Sequence, residues 1–143
     1  MTQVAGKILL IDDEPFEKDI LEFNLGKLHW KTTLGYYAGA EEAFQYLKTT
    51  SDRIFLILCD INMPKMNGLE FKKAIDNDSD LRAKAIPFIF LSTSATRAEI
   101  AEAYEYRVQG YFQKPHDTHE MTETLDLIIR YWIKSLHPNK LHK

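Results

Sequence analysis

IFLILCD, residues Ile54–Asp60, is a run of six apolar residues that ends on an acid. A strand half exposed to water would alternate apolar and polar residues, and this run does not. It is also far short of the ~20 residues that span a bilayer. The segment therefore reads as a strand buried on both faces, as central strands are in a parallel sheet covered by helices. FIFL, residues Phe88–Leu91, repeats the pattern. Working outward, strand-like runs occur at Lys7–Ile11, Trp30–Tyr37, Ile54–Cys59, Pro87–Leu91 and Gly110–Gln113, with helix-like runs between and after them.

In the first helical run Phe16, Ile20 and Phe23, with Leu21, Leu25 and Leu28, follow the 3.6-residue period. In the last, Met121, Leu125, Ile128, Trp132 and Leu136 do the same. Thr96 with Glu99, and Asp117 with Glu120, carry the capping-box spacing of helix starts. Strand then helix, five times over, predicts one α/β domain with helices on both faces of a parallel sheet. The expected bounds are a tail at residues 1–6, a domain at 7–134 and a tail at 135–143, the last frayed.

The 143 residues are 45% hydrophobic and 27% charged, ordinary for a globular chain. A net charge of −3 supplies no basic field, so no direct nucleic-acid partner is expected. Cys59 is the only cysteine, which excludes a disulfide framework and a cysteine metal site, and it sits inside an apolar strand as a buried thiol. His116 and His119 have helical spacing, but no further ligand types gather near them. No signal peptide and no membrane span is read, so a cytoplasmic protein is expected.

Chemistry in open α/β sheets gathers at the carboxyl ends of the strands. There this chain places Asp12-Asp13, Asp60, Ser92-Thr93-Ser94 and Lys114-Pro115. Three close carboxylates repel one another, and a divalent cation relieves that repulsion. Hard oxygen donors suit Mg²⁺, which takes one or two carboxylates together with phosphate oxygens and water. A phosphate site is therefore expected at this rim. Glu14-Pro15 starts the first helix, with proline suited to its first turn.

The four strand-end signatures in order, DD, DINMPKMNG, LST and KP, resemble the CheY-like receiver domain of two-component response regulators. The resemblance covers Lys7 to about Lys134 and implies the flavodoxin-like (βα)5 doubly wound fold, strand order 2-1-3-4-5. It implies Asp60 as phosphoacceptor from a sensor histidine kinase. Mg²⁺ would be held by Asp13, Asp60 and the backbone carbonyl of Asn62, with Asp12 acting through water. Lys114 would pair with the phosphoryl group, its bond to Pro115 being cis in the family. Ser92 and Tyr111 match the switch pair, and Pro64, Gly68 and Pro115 match structural positions. Thr93, where a smaller residue is common, would restrict inward rotation of Tyr111. Output is expected through protein contacts on the face of the fourth helix, fifth strand and fifth helix, with a homodimer among the options. The polar stretch IDNDSDLRAKAIP resembles stand-alone receivers partnered with phytochrome-type kinases.

Two other readings compete. A phosphatase of the haloacid-dehalogenase type needs a second acid two residues after the nucleophile, and Asn62 stands there. A receiver-like module that only binds tends to lack an acid or the lysine, and all four are present. Without a G-x-x-x-x-G-K-[ST] loop, nucleotide hydrolysis is not supported. The expectation is a signalling receiver rather than an enzyme.

Overall fold

The structure is a computed structural model that describes residues 2–140. In chain order its elements are β1 (Thr2–Gln3), β2 (Lys7–Ile11), α1 (Pro15–Leu25), β3 (Trp30–Lys31), β4 (Leu34–Tyr37), α2 (Ala40–Thr49) and β5 (Ile54–Cys59). There follow α3 (Gly68–Asn77), α4 (Ser79–Lys84), β6 (Phe88–Ser92), α5 (Arg97–Glu105), β7 (Gly110–Gln113), α6 (Thr118–Lys134) and a 3-10 turn at Pro138–Lys140. The main sheet has five parallel strands in the order β4-β2-β5-β6-β7, which is 2-1-3-4-5 counted along these five. Every residue of β5 and β6 is buried, as the unbroken apolar runs require.

The sheet separates two cores. On one side Leu9, Ile11, Ile57 and Cys59 meet Ala43 and Leu47 of α2, Phe71 and Ile75 of α3, Leu81 of α4 and Ala103 of α5. On the other, Ile8, Leu10, Leu56 and Leu58 meet Leu21 and Leu25 of α1 and Met121, Leu125 and Ile128 of α6. Phe16 and Phe23 belong to neither; they are 68% and 62% exposed, so the inward stripe of α1 is Leu21–Asn24–Leu25. Leu136 likewise points outward, beyond the end of α6.

The expected strand Trp30–Tyr37 is broken in two. Its first part pairs with β1 in a separate two-stranded parallel ribbon, and only Leu34–Tyr37 joins the main sheet. The polar stretch before β6 folds as α4. Asp78 caps it by accepting from the N–H groups of Asp80 and Leu81 and bonds Lys48 at 2.7 Å, while Leu81 is buried. Ala85 ends the helix in the left-handed region at φ 50°. Of the two expected capping boxes, Thr96–Glu99 is reciprocal, whereas Asp117 accepts from the Glu120 N–H without the return bond. A further box, Asn67–Glu70, starts α3.

Both segments expected as tails are tied down within the described residues. β1 pairs with β3, and Val4 is buried. At the other end the pairing of β2 with β5 skips a residue, from Lys7↔Ile54 to Ile8↔Leu56. The skipped residue, Phe55, has its carbonyl 2.5 Å from His137 Nε2, and His137 stacks on the Phe55 ring. His137 Nδ1 accepts from the Asn139 N–H, so Nε2 carries the proton and donates to Phe55. Asn139 Nδ2 donates to the carbonyls of Ala5 and Ile54. Backbone groups left over by the bulge are thus satisfied by residues 137–139. Residues 141–143 of the expected tail lie outside the described residues.

Candidate functional site

Parallel strands deliver the polar residues to one rim because each ends on the same edge. Asp12 and Asp13 follow β2, Asp60 follows β5, Ser92 closes β6 and Lys114 follows β7. Asp12 and Ser92 are fully buried, and Asp60 and Lys114 nearly so, at 8% and 9% exposure. Lys114 Nζ bonds Asp12 Oδ2 at 2.7 Å and lies 3.6 Å from Glu17 Oε1, in the first turn of α1. The other Asp12 oxygen accepts from the N–H of Glu14 at 2.9 Å. Asp60 Oδ1 accepts from the N–H of Ile61 at 2.8 Å.

Electrostatics at the rim follow from burial. Burial raises the pKa of the Asp60 carboxyl and the charge of Asp12 adds to it, while Lys114, the Ile61 N–H and the Ser92 hydroxyl pull the other way. Burial also raises Glu17, partly offset by Lys114. For Lys114 burial acts downward, yet the Asp12 hydrogen bond and the charges of Asp12, Asp60 and Glu17 outweigh it, so its pKa lies above the ordinary value.

Gly68 opens α3 directly behind Asp60. A Cβ there would lie 2.4 Å from the Asp60 carbonyl and 2.8 Å from the Phe90 ring, so only glycine permits this packing. Pro64 is exposed in the intervening loop and is followed by Lys65 at φ 64°. Asn62 is exposed in the same loop.

The Lys114–Pro115 bond is trans, with no cis peptide among the described residues; this corrects the cis bond that the resemblance implied. The ammonium still turns inward. The Lys114 N–H extends the β6–β7 ladder to the Ser92 carbonyl at 2.7 Å, which sets the direction of its side chain. On the far side of β6, Tyr111 is half-buried against Phe90 and its hydroxyl donates to the Ser94 carbonyl at 2.6 Å. Ser94 N–H reaches Ser92 Oγ at 3.3 Å, and Ser94 Oγ donates to Glu99 Oε1 at the start of α5. Thr93 is exposed and does not prevent this placement of Tyr111.

One carboxylate oxygen each from Asp12, Asp13 and Asp60 lie within 4.8 Å of one another. Three hard oxygen donors at that spacing, with one ammonium beside them, suit Mg²⁺ or Mn²⁺ together with a phosphoryl oxygen.

The response regulator receiver domain family matches residues 8–126 of this chain. The chain belongs to that family. CheY1, a chemotaxis protein of Helicobacter pylori, is 33% identical over 123 residues, covering 86% of this chain and 96% of the relative. CheY-3 of Vibrio cholerae is 31% identical over 122 residues, 85% of this chain and 90% of the relative. Among solved structures, the phosphorylated cyanobacterial phytochrome response regulator RcpA is 26% identical with TM-score 0.79, covering 90% of this chain and 94% of that one. The Mn²⁺-bound response regulator Rcp1 is 25% identical with TM-score 0.78, covering 92% and 96%. Receivers of this family are signalling modules of two-component systems and bind Mg²⁺ or Mn²⁺ in an acidic pocket.

Glu17 and Tyr36, which sequence reasoning passed over, and Glu99, read from the sequence only as a helix cap, bear on this receiver's site. Glu17 shares Lys114 with Asp12. Glu99 ties Ser94 to α5. Tyr36 donates from its hydroxyl to the Asp12 carbonyl at 2.7 Å. Glu17 could have been suspected from its place two residues after DDEP, in the first turn of α1; Tyr36 had no signal, since an aromatic in a strand reads as core. Among the described residues no helix is long and apolar enough to cross a membrane.

Proposed function

We propose that this receiver accepts a phosphoryl group on Asp60 and passes the signal on by protein contact. The observation that carries the reading is the convergence of Asp12, Asp13, Asp60 and Lys114 at one rim, three of them buried. Asp60 attacks the phosphorus of a phosphohistidine on a sensor kinase; the N–P bond breaks, an O–P bond forms and neutral imidazole leaves. A bound Mg²⁺ held by Asp13, Asp60 and the Asn62 carbonyl, with Asp12 close by, would offset the charge of the phosphoryl oxygens. Lys114 moves from Asp12 toward a phosphoryl oxygen, and the buried Ser92 hydroxyl donates to another. Pro64, Gly68 and Pro115 hold the loops around them.

The switch in this reading runs through Ser92 and the Ser94 loop, which Tyr111 and Glu99 already bind to β7 and α5. The output face is then α5, β7 and α6, where Tyr104, Leu127 and Tyr131 are more than half exposed. It takes a downstream protein or a second copy of the chain. The likeness to the phytochrome response regulator supports a phytochrome-type kinase as donor. Such a donor places the receiver in the cytoplasm, and the protein's own catalysis is limited to gaining and losing its phosphoryl group.

Intact mass after incubation with acetyl phosphate tests this. One phosphoryl group is expected with Mg²⁺ and none with EDTA, and none in Asp60→Asn. Incorporation persisting in Asp60→Asn would remove Asp60 as the acceptor. Light scattering on the same samples, with and without the adduct, reads whether the second copy is the partner.

A further inference from the structure

We infer that the Tyr36 hydroxyl is a positioning group for the acidic pair, orienting the Asp12–Asp13 peptide so that the Asp13 carboxylate faces a bound divalent cation. The inference rests on the phosphoacceptor reading above and adds to it a residue from β4.

Tyr36 lies beside Leu10 in the β2–β4 pairing, two residues before the acids begin. The ladder runs one bond further, from the Asp12 N–H to the Tyr37 carbonyl at 3.1 Å. Beyond it β4 ends, so the next backbone group of β2, the Asp12 carbonyl, has no strand partner there. The Tyr36 hydroxyl takes that place at 2.7 Å. With Lys114 and the Glu14 N–H on its two carboxylate oxygens, Asp12 then has both backbone groups and both side-chain oxygens engaged.

The carbonyl that Tyr36 holds belongs to the same rigid peptide plane as the N–H of Asp13. Rotation of that plane would swing the Asp13 side chain, which is only half-buried. Pinning the plane fixes the direction of Asp13 relative to Asp12 and Asp60 before a cation arrives. The chemistry of the group suits the place: a neutral donor is needed beside Asp12, Asp13 and Glu14.

Tyr36→Phe keeps the ring and removes only the hydroxyl. The readout is free Mn²⁺ by electron paramagnetic resonance, with Mg²⁺ as competitor, beside thermal melting in EDTA. Loss of one such hydrogen bond is expected to raise the Kd about 5-fold. Asp13→Asn should raise it further, and the Tyr36→Phe melting temperature in EDTA should stay within ~3 °C of wild type. An unchanged Kd, whether or not the melting temperature falls, would overturn the inference and leave the hydroxyl a purely structural role. Failure of the underlying reading looks different: the wild-type protein itself would then bind neither ion.

Discussion

Asp60 is the residue on which charge, burial and chemistry meet. Its pKa is raised by burial, so the folded protein holds a proton there more tightly than the unfolded chain does. The sign follows: the favourable contribution is fully present below the ordinary carboxylate pKa and is lost as pH rises through the raised one. At neutral pH and without metal the ionised Asp60 therefore destabilises the fold. Asp60→Asn should melt a few degrees higher than wild type in EDTA at pH 7, and the gap should close as the pH is lowered below ~4. Added Mg²⁺ should raise the wild-type melting temperature much more than that of Asp60→Asn. A variant that melts lower than wild type at pH 7 would show that Asp60 is stabilised by its surroundings rather than crowded by them. Phosphorylation runs in the opposite pH direction to this stabilisation and should fall as the pH is lowered, because the protonated carboxyl is no nucleophile.

At the scale of the element, α1 shows how far periodicity reaches. The apolar residues of Phe16–Leu28 cover more than one face of a helix, so spacing alone admits two choices of inner stripe. Packing against α6 selects Leu21 and Leu25, with Asn24 between them bonded to Thr122, and leaves Phe23 under the Lys27 ammonium at 4.4 Å. Leu25→Ala should cost ~2–4 kcal/mol in urea unfolding, whereas Phe23→Ser should change stability by less than ~0.5 kcal/mol. Equal costs would mean that both faces of α1 are buried. The helix α4 marks the opposite limit. Six residues with one buried leucine carry almost no periodic signal, and the contacts that hold it, Lys48 to Asp78 and Leu81 to the core, come from distant chain.

For the whole molecule, the segments around Ala5 and at residues 137–139 meet at the edge of the sheet opposite the acids. His137 and Asn139 bond the carbonyls of Phe55, Ile54 and Ala5, closing the skipped position between β2 and β5. Asn139→Ala removes two of these bonds and should lower unfolding stability by ~1–2 kcal/mol, with faster amide exchange at Val4 and Lys7. The Kd for Mg²⁺ at the far rim should not move, since the acids are held by other residues. A stability equal to wild type would show that the segment rests on the sheet without holding it.

The sequence by itself determined the α/β class and the rim on which the chemistry stands. Doubly buried strands must be wholly apolar, and parallel strands must end on one edge, so Ile54–Asp60, Asp12-Asp13, Ser92 and Lys114 were legible from order and composition alone. What only the tertiary structure decided depends on partners far away in the chain. These are the splitting of Trp30–Tyr37, the inner stripe of α1, the helix α4, the docked 137–139 segment, the trans Lys114–Pro115 bond and the Tyr36 hydroxyl on Asp12. Apart from the trans bond, each is held by long-range hydrogen bonds or packing contacts, and such contacts leave no period or motif in the local sequence to reveal them.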